Sequence, residues 1–97
     1  MKKTYSEDGN KCWVTFELPA EANINTAYLC GEFNDWDKTQ NQVFPRKDGN
    51  FSTTIVLETG RAYRYRYWVD GERWENDWSA DKYLKNNFGT EDSVVIV

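Results

Sequence analysis

Ninety-seven residues with 29% charged and 16% aromatic side chains are enough for one domain with one modest core, burying about 60–65% of the unfolded surface. A formal net charge of −4 without a basic block excludes a phosphate-neutralising nucleic-acid face and an anionic membrane surface as partners. No apolar run approaches the ~18 residues a bilayer span needs, and no apolar stretch follows the two N-terminal lysines, so a cytoplasmic protein without a signal peptide is expected.

Residues 1–10 carry no strand signal and are expected to be a flexible lead-in. The dominant hydrophobic period after that is two. CWVTFEL (12–18) puts Cys12, Val14, Phe16 and Leu18 on one side. TAYLCGEF (26–33) puts Ala27, Leu29, Gly31 and Phe33 inward and Tyr28, Cys30 and Glu32 outward. QVFPR (42–46) holds a proline and is an edge strand at best. NFSTTIVL (50–57) alternates Phe51, Thr53, Ile55 and Leu57. AYRYRYWV (62–69) sets Tyr63, Tyr65, Tyr67 and Val69 against Arg64, Arg66 and Trp68. SVVIV (93–97) reads as a buried closing strand. Turn residues separate these runs at Pro19–Asn25, Asn34–Asp37, Lys47–Asn50, Glu58–Gly60 and Asp70-Gly71. Short strands with regular turns and no helical period predict an all-β sandwich of about seven strands. Residues 75–92 form the longest irregular stretch, apart from a short turn around SADKY, and loops of that length are often functional.

The absent chemistry is informative. With no histidine, Ser–His and Cys–His nucleophiles and the commonest metal ligand are gone, and no glycine loop cradles phosphate. Asp35 with Asp37, and Asp77 with Asp81, are the candidate carboxylate pairs. A glycosidase needs two carboxylates about 5–10 Å apart across a cleft, for which a sandwich this small has little depth. Both pairs read as solvated turn carboxylates, and their spacing matches no known calcium loop. No metal and no cofactor are expected. Cys12 and Cys30 fall on opposite strand faces and are expected as free thiols.

Five tryptophans and six tyrosines exceed what so small a core can hide, so some rings form a contact surface. GEFNDW concentrates the question. Gly31 faces the core, which suggests close approach by another backbone or ring. Phe33, with Tyr65 and Tyr67, belongs to the core. Trp36 falls beyond the turn, either as a lid over the sandwich end or as a flat platform in water.

GEFNDW, DGNFSTTIVLETG, YRYRYWVDGERW and NNFGTEDSVVIV, in that order and spacing, resemble the glycogen-binding module of the AMP-activated kinase β subunit. They equally resemble the early-set domains of isoamylases and branching enzymes, carbohydrate-binding module family 48. The resemblance covers residues 12–97 and is strongest to the stand-alone bacterial early-set proteins. It implies an immunoglobulin-like early-set sandwich and non-catalytic binding of α-1,4-glucan (glycogen, starch or malto-oligosaccharide), with a glycogen-metabolism protein as a further partner. It also implies the contact residues. Trp36 and Trp74 stand at the family's two tryptophans, Trp74 one residue later after Gly71 than in the kinase pattern. Arg66 stands at the usual lysine and Phe88 at the usual leucine, with Thr90 beside it. Asp92 stands at the kinase asparagine; a carboxylate only accepts hydrogen bonds, which weakens or redirects sugar contacts. Trp78 and Asn87 are expected on the rim, and Trp13 and Trp68 are weaker candidates. The alternative is an early-set module that has lost sugar binding and docks onto a protein or a second copy.

Overall fold

The computed structural model describes residues 1–97 and is all-β. Nine strands run in chain order: β1 (Lys2–Tyr5), β2 (Lys11–Leu18), β3 (Ala27–Gly31), β4 (Asn41–Pro45), β5 (Phe51–Glu58), β6 (Ala62–Val69), β7 (Arg73–Glu75), β8 (Lys82–Lys85) and β9 (Glu91–Ile96). They hydrogen-bond in the order β1-β2-β5-β4-β3-β6-β9-β8, with β7 also on β6. The path curls into an early-set immunoglobulin-like sandwich. One layer holds β1, β2 and β5; the other holds β3, β6, β7, β9 and β8.

The hinge between the layers is β4, which the proline had suggested was an edge. It pairs with β3 at Asn41–Val43 and with β5 at Phe44–Pro45. Pro45 costs nothing central because it sits at the strand's last position, where the chain is leaving one layer for the other. Three further strands, β1, β7 and β8, lie outside the runs of alternation. β8, within 75–92, is the far edge of the second layer, and its Lys82 and Lys85 are exposed. Lysines on an edge strand discourage pairing with another chain. β1 pairs with β2 over Lys2–Tyr5. Its hairpin is held by Asp8, whose carboxylate accepts from the Ser6 hydroxyl (2.7 Å) and the Asn10 amide (2.9 Å).

The alternation read from the sequence sorts the core. Cys12, Val14, Phe16 and Leu18 of β2 face Leu29 of β3 and Tyr65, Tyr67 and Val69 of β6, all without solvent contact. Burial of such side chains contributes roughly 1.5–3 kcal/mol each. Phe16 meets Tyr65 edge-on at 4.9 Å, and Phe33 closes this aromatic cluster at 6.0 Å from Phe16. Phe33 is half-buried rather than deep in the core, because β3 ends at Gly31 and residues 32–34 form a 3-10 turn. A Cβ on Gly31 would lie 2.6 Å from the Arg64 carbonyl oxygen and 2.8 Å from the Phe33 ring. The close approach is therefore by a backbone and a ring together.

Asp77, expected in solvent, is only 4% exposed. Its carboxylate accepts from the Tyr65 hydroxyl at 2.6 Å and the Tyr67 hydroxyl at 3.4 Å, and its own amide donates to Ser93 Oγ. The phenols of two core tyrosines needed an acceptor, and this irregular segment supplies it. Asp81 ties β1 to β9 by accepting from Lys3 Nζ and the Ile96 amide, both at 2.7 Å. No helix is long and apolar enough to cross a membrane.

Candidate functional site

The outward residues of β6 form the floor of an open groove of about 850 Å³ on the second layer. β6 contributes Arg64 and Arg66, β7 contributes Trp74, and β9 contributes Asp92. The β8–β9 loop adds Asn86, Asn87, Phe88 and Thr90, and the turn after β3 adds Trp36.

Asn34 explains how Trp36 arrives there. Its buried amide accepts from the Gly31 amide (3.0 Å) and donates to the Leu29 carbonyl (2.9 Å) and to Asn41 Oδ1 (2.7 Å). The turn is thus nailed to the end of β3. Asp35 and Trp36 then both take left-handed backbone angles, φ 55° and 58°. This double reversal folds Trp36 back over the outer sheet face instead of letting the chain continue into water. The conformation is costly for a tryptophan, about 1–2 kcal/mol, and the Asn34 bonds hold it in place.

Trp74 reaches the same face through the β6–β7 turn. Asp70 and Gly71 are both left-handed, and the Asp70 carboxylate accepts from the Asn25 and Thr26 amides. Hydrogen bonds from the Thr26 and Asn25 amides hold the Asp70 carboxyl below the usual range. The turn sets Trp74 opposite Trp68 across the strands. The two indoles meet tilted, at 4.9 Å and 60°, and Trp36 meets Trp74 edge-on at 6.2 Å and 85°. Arg66 lies 5.1 Å from the Trp74 ring centre, and Lys38 Nζ lies 3.8 Å over Trp68 and 5.2 Å from Trp74. Trp74 is thereby fixed from three sides, by Trp68, Trp36 and the cations.

The remaining expected residues divide clearly. Phe88 stands 87% exposed at the tip of the loop, with Asn87 and Thr90 beside it on the groove wall. Asp92 lines the groove but is only 4% exposed. Its Oδ2 accepts from Arg64 Nη1 (3.2 Å), and its Oδ1 accepts from Asn86 Nδ2 (3.1 Å). Arg66 Nε lies 3.1 Å from Oδ1, but the angle is wrong for a hydrogen bond, so this buried N–H has no acceptor. Asp92 therefore has its acceptor capacity directed into the protein. Trp78, expected on the rim, lies elsewhere: it is 54% exposed beside Glu17, Pro19 and Glu21. Irregular segments carry no parity from which its side could have been read. Trp13 is exposed on β2, in the other layer, and Trp68 backs the platform without lining the groove.

Several lining residues escaped the sequence reading. Arg64 was placed outward by its parity with Arg66 but given no role. Glu32 tethers the β6 backbone by accepting from the Arg64 amide at 2.7 Å. The Asn-Asn preceding Phe-Gly was a signal for the turn that Asn86 organises. Nothing local marked Lys85, or Lys38, which caps Trp68 without lining the groove.

The candidate carboxylate pairs, Asp35 with Asp37 and Asp77 with Asp81, lie outside the groove. Asp37 accepts from the Thr39 hydroxyl and amide, which lower its pKa in that order. No cluster of three His, Cys, Asp or Glu side chains is placed to hold a metal ion. Cys12 and Cys30 are free and buried. Burial pushes the Cys30 thiol up to about 11, although it lies under the loop that carries Lys38.

A β-sandwich with an open groove on one sheet face, lined by two indoles, has the architecture of a carbohydrate-binding module. Comparison with protein families gives the specific kinship: the chain belongs to the family described as the glycogen recognition site of AMP-activated protein kinase, which matches residues 5–97. Modules of this family are generally non-catalytic. A comparison with curated proteins found no match.

Proposed function

We propose that this chain binds α-1,4-glucan without transforming it. The observation that carries the reading is the pair of indoles, Trp36 and Trp74, set at 85° to each other at the mouth of one groove. The C–H face of glucose is apolar and packs on an indole face. Two rings at an angle suit a chain that curves, as α-1,4-linked glucose does. A flat β-1,4 chain cannot follow both rings. In this reading Arg66 donates from its outer guanidinium nitrogens to sugar hydroxyls, and Phe88, Asn87 and Thr90 bound the chain from the opposite wall.

Intrinsic tryptophan fluorescence during titration with maltoheptaose tests this. The groove has few enclosing walls, so the expected Kd is on the order of 0.1–1 mM, about −4 to −5.5 kcal/mol. Cello-oligosaccharide should bind distinctly worse. Binding should change little with salt, because a neutral ligand releases no condensed counterions. Equal affinity for the two glucans would remove the argument from ring angle. A silent titration, together with a size on gel filtration that grows with concentration, would favour a docking module instead.

A further inference from the structure

We propose that Asp92 is a positioning residue rather than a sugar ligand. With Asn86 it ties the arginines of β6 to the loop that presents Phe88, so that floor and wall of the groove keep one geometry. The binding half of this inference rests on the glucan reading above; the structural half does not.

The bonds form a continuous chain. Asp92 Oδ2 receives Arg64 Nη1, which also donates to the Lys85 carbonyl at 3.3 Å. Asp92 Oδ1 receives Asn86 Nδ2 and stands 3.1 Å from Arg66 Nε. Asn86 then organises the loop. Its Oδ1 accepts from the Phe88 amide (2.9 Å), the Thr90 amide (3.3 Å) and the Thr90 hydroxyl (3.1 Å), while its own amide donates to the Thr90 carbonyl (2.9 Å). The tip carrying Phe88 has no apolar anchor of its own, since Phe88 is almost fully exposed. Its position is set by Asn86, and Asn86 is set by Asp92.

The charge is required as well as the shape. The carboxylate accepts from Arg64 and Asn86 and lies in ion-pair contact with the Arg66 guanidinium. An asparagine in its place has one oxygen and one NH₂. If the oxygen turns toward Arg64, the NH₂ meets Asn86 and Arg66; if it turns toward Asn86, the NH₂ meets Arg64. Either orientation opposes donor to donor, and the two guanidiniums lose their shared counterion.

Asp92→Asn is therefore the decisive substitution, with Asn86→Ala as a second variant that leaves the core untouched. In the free protein, amide exchange of Phe88 and Thr90 measured by NMR should become roughly 3- to 10-fold faster in both variants. Maltoheptaose affinity should fall roughly 5- to 30-fold in both. Combining Asp92→Asn with Phe88→Ala should give less than the product of the single losses, because both act through the same loop. Unchanged exchange in both variants would overturn the proposal whatever the sugar result. Faster exchange with unchanged affinity would overturn it too, by showing that the loop does not matter to binding. If the unmodified protein fails to bind maltoheptaose, the glucan reading falls and the exchange measurement alone decides the link from Asp92 to the loop.

Discussion

Two buried carboxylates serve β6 from opposite sides, and they do different work. On the inner side Asp77 accepts from the phenols of Tyr65 and Tyr67. On the outer side Asp92 sits between Arg64 and Arg66. The strand between them alternates tyrosine and arginine, so one backbone presents neutral aromatics to the core and cations to the groove. Asp77 is the acceptor of the buried Tyr65 hydroxyl and shares the Tyr67 hydroxyl with the Glu17 carbonyl (3.4 Å), so its contribution is stability. Asp92 holds side chains whose far ends reach solvent, so its contribution is geometry. Burial alone does not distinguish a structural carboxylate from one that shapes a site; the chemistry of the partners does.

Asp77→Ala should break the inner side with the largest effect. It removes the acceptor of three hydrogen bonds, from Tyr65, Tyr67 and the Ser79 amide, and opens a void, for an expected loss of about 3 kcal/mol in urea unfolding. A loss below about 1 kcal/mol would mean that water or another acceptor reaches the tyrosines.

The aromatics of GEFNDW sharpen the contrast. Phe33→Ala should cost about 2–3 kcal/mol, less than a fully buried phenylalanine, because the ring is half-exposed at the margin of the core. Trp36→Ala should cost within about 1 kcal/mol, since the ring is only partly buried and lies outside the core, with Trp74 as its aromatic neighbour. Its maltoheptaose affinity should nonetheless fall at least roughly 10-fold, about the loss of one stacked ring from a weak site. Equal thermal destabilisation by the two substitutions would make Trp36 a lid of the core.

A smaller effect appears in acid. Burial alone would raise the Asp81 carboxyl, but the Lys3 ammonium and the Ile96 amide outweigh it, and the net displacement is downward. A carboxyl depressed in the folded state stabilises above its unfolded value, near ~3.9, and that stabilisation is lost as pH falls through the folded value. The melting temperature should hold from pH 7 to about 5 and decline below about pH 4. Asp81→Asn should flatten part of that decline; an unchanged acid limb would assign it to other carboxylates.

The smallest effect concerns a side chain on the outer sheet face that is nevertheless buried. Cys30 lies under the loop of residues 35–38, and its Sγ donates to the Asp37 carbonyl at 3.4 Å. With its thiol raised to about 11 by burial, it should resist a thiol reagent at pH 8 in the folded protein, as should Cys12. Both should react in denaturant. Fast labelling of Cys30 alone would show that the Trp36 loop opens.

The sequence alone carries what depends on neighbours along the chain. The period of two sorted β2, β5 and β6 into inward and outward sets, and turn residues marked where most strands end. It showed that Gly31 must be approached closely and that Arg64, Arg66 and Trp68 share a face. The resemblance carried by four ordered motifs brought Trp36, Arg66, Trp74, Phe88 and Thr90 into consideration, and the fold brings these five to one groove. What depends on partners distant in sequence follows from the fold. β4 became the strand joining two layers because its halves pair with different neighbours. β8 formed because β9 offered it an edge, Asp77 left solvent because two core phenols required an acceptor, and Trp78 fell outside the groove. Asp92 turned inward because Arg64 lies 28 positions away in the chain yet 3.2 Å away in space. Periodicity and turn chemistry are local and survive in a string of letters. Hydrogen-bond satisfaction and charge pairing are settled by whichever groups the folded register brings within about 3 Å.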